Sequence, residues 1–139
     1  MEGVNAERFR AGYEAFNKSG VGAILELLDP AIQVHDRPTL PDRATYHGWS
    51  GVQKLFEVMI EAFDDVQFEV EKVIDRGDNV IVGLRQLARG RNSGIRVAGE
   101  TAHLWTLRNG RPIALTIFGT CDEALDALRR AEARESVNS

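Results

Sequence analysis

The sequence predicts an α+β domain: a curved antiparallel sheet closed on one side by N-terminal helices around an apolar pocket. Three observations predict it. Helical periodicity is confined to the region before residue 64 and to the C-terminus, period-two alternation takes over at Val66, and turn signals then divide the chain into hairpins ending at Asn109-Gly110. Helices followed by hairpin-linked strands mean α+β rather than alternating βαβ units. With 139 residues the chain suits one domain, since halving it would leave neither part an adequate core.

Taken in order, Phe9, Tyr13 and Phe16 recur on one face of a first helix, with Asn5 as its N-cap. Gly20 breaks it, and a short second helix carries Ile24, Leu27 and Leu28 until Asp29-Pro30 ends it. Ile32 and Val34 alternate with Gln33 in a short strand that runs into His35-Asp36. Residues 37–49 hold Pro38, Pro41 and Gly48 and read as a loop that covers or rims a site. At its end, Tyr46 and Trp49 either form an aromatic lid or pack the loop down. Ser50 and Gln53 have capping-box spacing, and Val52, Leu55, Phe56, Met59, Ile60 and Phe63 form the apolar stripe of a long helix closed by Asp64-Asp65.

The strands follow. Val66, Phe68 and Val70 alternate with Gln67, Glu69 and Glu71; turns at 76–79 and 90–94 bound a strand over 80–88, and a long strand covers 95–108. Asn109-Gly110 fits a two-residue type I′ turn leading to a returning strand over 113–118. The last helix starts near Asp122, and the polar tail 132–139 is expected to fray. A two-residue turn sets Leu104 against Leu115 and Ala102 against Ile117. On the opposite face it sets Trp105 against Ala114, His103 against Thr116 and Thr101 against Phe118. Small residues opposite large ones leave room for a ligand, so the His103 face is the better pocket candidate; a packed core with His103 bonded to backbone is the alternative. The other face is a dimer surface or packs under the C-terminal helix.

Composition narrows function. The 17 basic and 21 acidic residues give a net charge of -4, which supplies no electrostatic ground for a nucleic-acid partner. Arg85, Arg89, Arg91 and Arg96 read as a solvated hairpin end. Cys121 is the single cysteine, so no disulfide forms within the chain, and it reads as a strand-end residue rather than a nucleophile. No apolar run approaches the roughly 20 residues needed to span a bilayer, and the N-terminus has no signal-peptide pattern, so a cytoplasmic location is expected. No phosphate loop, dinucleotide fingerprint or Gly-x-Ser-x-Gly elbow occurs. His35, Asp36, His47 and His103 match no metal-ligand spacing. Neither a cofactor nor a metal is expected.

Three segments carry a resemblance: Ile32-Gln33-Val34-His35-Asp36, Tyr46-His47-Gly48 leading into the Ser50 helix, and the run from Ala102 to Arg111. Together they make the chain similar to the SnoaL-like polyketide-cyclase and ketosteroid-isomerase branch of the nuclear-transport-factor-2-like superfamily, from Phe9 to about Leu128. The resemblance implies a cystatin-like, nuclear-transport-factor-2-like fold, a cone-shaped curved antiparallel (mixed) sheet wrapped around N-terminal helices, with one SnoaL-like domain over 1–131 and a tail over 132–139. In ketosteroid isomerases an aspartate after the first strand takes a proton beside a carbonyl. A first-helix tyrosine and a protonated aspartate on the penultimate strand hold the oxyanion. By position the resemblance implies Asp36 as base and Tyr13 as donor, with His103 where the protonated aspartate would stand. That last departure removes any implication of a steroid substrate, and it also allows His103 to be the base with Asp36 orienting it.

The resulting expectation is a cofactor-independent isomerase, cyclase or dehydratase acting through Asp36, Tyr13 and His103 on an uncharged or weakly acidic organic substrate, a small hydrophobic or carbonyl-containing molecule. Phe9, Trp49, Phe56, Met59, Arg85, Trp105, Thr116 and Phe118 are the expected pocket residues. Arg85 would bind a carboxylate if it faced the pocket, and otherwise reaches the sheet edge or pairs with Glu100. The alternatives are a non-catalytic domain binding a small apolar metabolite and an interaction module dimerising through the sheet. A homodimer through the sheet face is compatible with all three.

Overall fold

A computed structural model describes residues 3–36 and 45–138. Helices α1 (Val4–Ser19), α2 (Gly48–Ala62) and α3 (Cys121–Asn138) accompany strands β1 (Gln33–His35), β2 (Thr45–His47), β3 (Phe63–Asp75), β4 (Asn79–Gly90), β5 (Arg96–Arg108) and β6 (Arg111–Phe118). The six strands form one curved, open sheet in the order β2-β1-β6-β5-β4-β3. Every neighbouring pair is antiparallel except β1 and β6, which run parallel. The α+β architecture is the one the hydrophobic periods predict.

The inner face of the sheet meets α1 and α2. Phe9, Tyr13 and Phe16 descend from α1 onto Phe68, Val82, Leu84, Trp105 and Leu115, and α2 adds Val52, Leu55, Phe56 and Met59. Val80, Val82 and Leu84 are completely buried, as suits a strand near the sheet's middle. The outer face packs under α3, where Ile81, Ala102 and Phe118 meet Ala124 and Leu128. This is the second of the two covers considered for that face. Beyond α3, Arg85 and all of Arg96–Glu100 are exposed.

Several elements differ from expectation for identifiable reasons. The second helix is two single 3₁₀ turns, Val21–Ala23 and Leu25–Leu27; the nine residues between Gly20 and Pro30, with Gly22 among them, are too few to nucleate a stable α-helix. Asn5 does not cap α1, whose N-cap is Gly3; its amide instead donates to Asp75 Oδ1 and the Gly77 carbonyl, both at 3.2 Å. The Ser50 capping box is not formed, because α2 already begins at Gly48. Gly48 has φ 68°, its N–H reaches the Ile32 carbonyl at 2.6 Å, and a Cβ there would lie 3.0 Å from the Pro30 carbonyl oxygen. Only glycine suits that corner. Residues 45–47, expected in the loop, pair with β1 as β2, while 37–44 lie outside the described residues. Ile60, placed in the stripe of α2, is 51% exposed, and Asp64 lies inside β3 rather than closing the helix. The C-terminal helix is longer than expected and carries the tail to Asn138, with Glu132 joined to Arg76 at 3.3 Å.

The final hairpin bears most directly on the site. Asn109 (φ 53°) and Gly110 (φ 76°) form the type I′ turn, and Arg108 faces Arg111. The register then slips: Leu107 faces Pro112, but Thr106 faces Ala114, leaving Ile113 as an extra residue. Pro112 has no N–H for β5, and its carbonyl accepts from Asp29 N at 2.9 Å, so a bulge forms where the ladder cannot continue. One residue of slip turns every later side chain of β6 to the other face. Leu115 now opposes Trp105 and Ile117 opposes His103. Ala114, Thr116 and Phe118 leave the side on which an uninterrupted ladder would have placed them.

Strand β3 is an edge of the sheet, and Asn17 closes part of that edge. Its amide donates to the Phe68 carbonyl and its carbonyl accepts from Phe68 N, both at 2.8 Å. Asn17→Ala should cost about 2 kcal/mol in urea unfolding, because both backbone groups lose their partner in a half-buried place. A loss below roughly 0.5 kcal/mol would show that water replaces the amide without penalty.

Candidate functional site

Between α1, the 3₁₀ turns, α2 and the inner sheet face lies a cavity of about 320 Å³. That is at the small end of the ~300–1,000 Å³ usual for ligand sites. Its wall is aliphatic and aromatic: Phe9 and Phe16 from α1, Ile24 and Leu28 below it, Leu55, Phe56 and Met59 from α2, and Val34, Phe68, Leu115 and Ile117 from the sheet. Arg8, Ala11 and Leu27 are the exposed members of the lining and mark its mouth. Arg8 is held there by a 2.6 Å hydrogen bond to the Gly110 carbonyl.

Three polar side chains meet at one end. Tyr13 comes from the buried stripe of α1, while His103 and Trp105, two residues apart on β5, share the inner face. The Tyr13 hydroxyl lies 2.6 Å from His103 Nδ1, and Trp105 Nε1–H donates to the Tyr13 oxygen at 3.0 Å. Rings pack around this chain. Phe9 tilts against Trp105 at 5.5 Å between centroids, and Phe68 meets His103 edge-on at 5.4 Å. Burial pushes His103 down to about 3 and raises Tyr13 far above its ordinary range, although the Trp105 hydrogen bond works the other way on the phenol. Near neutral pH both are uncharged. A His103 so hard to protonate is a poor general base, and a neutral Tyr13–His103 pair suits hydrogen bonding to an uncharged ligand.

The remaining expected residues divide. Phe9, Phe56, Met59 and Trp105 line the cavity. Trp49 does not: it packs against the core and its Nε1 donates to the Leu28 carbonyl at 3.0 Å, so it fastens the start of α2 to the end of the 3₁₀ turns rather than touching ligand space. Thr116 and Phe118 are corrected by the Ile113 bulge, with Phe118 against α3 and Thr116 opposite Leu104. Arg85 is exposed on the outer side, opposite Glu100 in the β4–β5 register, so it binds nothing in this cavity. Asp36 is partly buried just beyond β1 and does not line the cavity as described. His35, on the opposite face from Val34, approaches Thr45 Oγ1 at 3.3 Å through Nδ1, and His47 is exposed at the start of α2. Among the described residues no three His, Cys, Asp or Glu side chains gather as a metal site. No described helix is long and apolar enough to cross a membrane.

Sequence pattern does not reveal the role of one cavity residue, Trp105, or the place of three others. Trp105 was read as wall, without its donor role; its i, i+2 spacing from His103 was the available signal. Leu27, Ile24 and Pro112 were not associated with the site at all, because they reach it only through the irregular turns and the bulge.

Comparison with known proteins agrees with this architecture. The profile of the SnoaL-like domain matches residues 9–114. No curated protein matches the chain. Among solved structures, an NTF2-like protein of unknown function from Burkholderia pseudomallei superposes with a TM-score of 0.73 at 19% identity, over 92% of this chain and 97% of that one. TerC, co-crystallised with polyporic acid, gives a TM-score of 0.71 at 19% identity, over 89% and 96%. A proposed SnoaL-like polyketide cyclase from Jannaschia sp. CCS1 gives 0.69 at 22% identity, over 82% and 83%. At such identities the likeness is one of fold.

The buried imidazole makes stability depend on pH. In the unfolded chain His103 titrates near 6.5, against about 3 in the fold, so between those values the unfolded state binds a proton that the folded state refuses. The contribution is complete above the unfolded value and is lost as pH falls, at up to about 1.4 kcal/mol per pH unit. Unfolding free energies from about pH 7.5 to 5 should therefore fall more steeply for the natural protein than for His103→Gln. Equal slopes would mean that the folded imidazole accepts the proton.

Proposed function

The chain belongs to the SnoaL-like domain family, and on that premise we propose that it is a cofactor-free enzyme of the isomerase or cyclase type, moving a proton beside the carbonyl of a small, uncharged, largely apolar molecule. In this reading the Tyr13–His103 pair holds the carbonyl oxygen and Asp36 is the base. The observation that carries it is a lateral alignment on the cavity face. Val34 pairs with Leu115 and His35 with Thr116 in the parallel β1–β6 register, and Ile117 pairs with His103 across β6–β5. Asp36 follows directly after β1, and if the parallel register ran one residue further it would stand beside Ile117, on the same side as Val34. In that arrangement Asp36 and His103 would flank Ile117 two strand spacings apart, about 10 Å. That separation accommodates a carbonyl and its neighbouring carbon between a base and a donor.

The division of labour follows from the chemistry of each group. An aspartate carboxylate at the margin of an apolar cavity can take a proton from carbon and return it elsewhere. A neutral hydrogen-bonded pair can stabilise the oxyanion that develops meanwhile, worth more here than in water because the surroundings are apolar. A ligand carrying a formal charge would lose its hydration at the polar end, where no counter-charge stands, since the charged side chain of the described lining, Arg8, is at the mouth. The crystal complex of TerC with polyporic acid lends support, since a protein of this fold takes an organic molecule.

A second reading, binding without conversion, is favoured by one observation: the described lining contains no carboxylate. Exchange in D₂O separates the two. With 2-indanone as probe, the natural protein should accelerate α-proton exchange followed by NMR. Asp36→Asn should lower that rate about a hundredfold or more while leaving binding within a few-fold. Binding with no accelerated exchange would leave the non-catalytic reading in place.

A further inference from the structure

We propose that the free edge of β5, Arg96–Glu100, pairs antiparallel with the same segment of a second copy of this chain. The two copies are related by a two-fold axis at Ala98, with Arg96 of each against Glu100 of the other. This pairing is independent of the activity proposed above.

The sheet leaves this edge open. β4 is paired with β3 on one side and with β5 on the other, as far as Gly90 and Arg96 at the hairpin end. β6 stops short: its last partner on β5 is Ala102, opposite Phe118. From Arg96 to Glu100, β5 therefore has a strand neighbour on one side alone among the described residues, and all five residues are exposed. Alternate backbone N–H and C=O groups of such a strand point outwards, which makes the edge a template for another strand. No proline or bulge interrupts the segment. Its two charges, instead of repelling a second copy, match one.

Those charges choose the partner and the register. Arg96, Ala98 and Glu100 share the outer face with Ala102, which meets α3 further along the strand. About a two-fold axis at Ala98, residues equally far from the axis stand opposite one another. Ala98 then faces Ala98, and each Arg96 faces a Glu100. Moving the axis to Val97 or Gly99 sets Ala98 against one of the charges and leaves no opposed pair. Neither Arg96 nor Glu100 belongs to an ion pair within the chain among the described residues. Arg96 instead stands opposite Arg89 in its own hairpin, an unfavourable pairing that a carboxylate on its other side offsets.

The other face adds a small apolar contact. Val97, 44% exposed, falls opposite Gly99 of the second copy, where a Cβ would meet nothing within 4 Å. The two Val97 side chains then lie diagonally across two bare glycines and cover each other. Packing the outer face of this end against a second sheet would bury Arg85, Arg89, Arg96 and Glu100, whereas edge pairing leaves their charged groups in water. So short an edge buries less than the ~1,200 Å² of stable complexes, which puts self-association at about 100 µM.

Sedimentation velocity from about 10 µM to 1 mM should therefore follow the natural protein from monomer to dimer. Glu100→Arg and Arg96→Glu, both at exposed positions, should each weaken self-association about tenfold or more, because two attractive contacts become repulsive. Mixed together, the two variants should associate again, since each supplies the charge that the other lacks. The double swap, Arg96→Glu with Glu100→Arg, should dimerise like the natural protein, which also guards against a folding defect in either single variant. A natural protein that stays monomeric throughout would overturn the proposal. So would a dimer indifferent to either charge reversal, which would place the contact elsewhere, the sheet face included. Failure of both the mixture and the double swap to associate would remove the two-fold register at Ala98.

Discussion

Burying Tyr13, His103 and Trp105 on the apolar side of the sheet leaves these groups with one another as partners. A buried hydroxyl or ring N–H without a partner costs a large share of a domain's small net stability. The three therefore have to be brought to hydrogen-bonding distance, and doing so ties α1 to β5 at one angle and height. The aromatic shell of Phe9, Phe16 and Phe68 then packs around a fixed centre. The cavity is the space that these rigid groups and the side chains of α2 do not fill. Its polarity is concentrated at one end because the polar groups had to be clustered to be buried at all.

The other constraint is the break in the ladder at Pro112. Without an N–H and with its carbonyl engaged by Asp29, this residue forces Ile113 out of register. Leu115 and Ile117 consequently face the helices and Phe118 faces α3. The same slip sets Ile117 opposite His103 on the cavity side of the sheet. Function and packing here share one local cause. The small residues that an unbroken hairpin would have set beside His103 do not make the cavity. It is made by the gap between α1, α2 and the curved sheet.

Much of the fold was legible because periodicity is a local property. The stripe of Phe9, Tyr13 and Phe16, the switch to alternation at Val66 and the Asn109-Gly110 turn each report nearby backbone geometry, and each is present where its pattern lies. The short pieces were less legible. Residues 21–27 form 3₁₀ turns, and 45–47 become a strand because β1 offers an edge to pair with, which no pattern in three residues can announce. Of the two readings open for Trp49, a lid or packing, the structure has packing, and Arg85, a carboxylate binder only if it faced the pocket, faces outward.

For the site, residue type and spacing along the chain already implied a tyrosine on the first helix, a histidine on the penultimate strand and an apolar enclosure. They could not show that Trp105 donates to Tyr13, or that a bulge turns Thr116 and Phe118 away. A hydrogen bond between α1 and β5 joins residues some ninety positions apart, and its existence depends on the distance between two packed layers. Periodicity assigns a side chain to a face, since that depends on its neighbours in sequence. Which partner it meets across the core depends on the curvature of the sheet, the slip at Pro112 and the height of the helix above it, and these are set only when the layers pack.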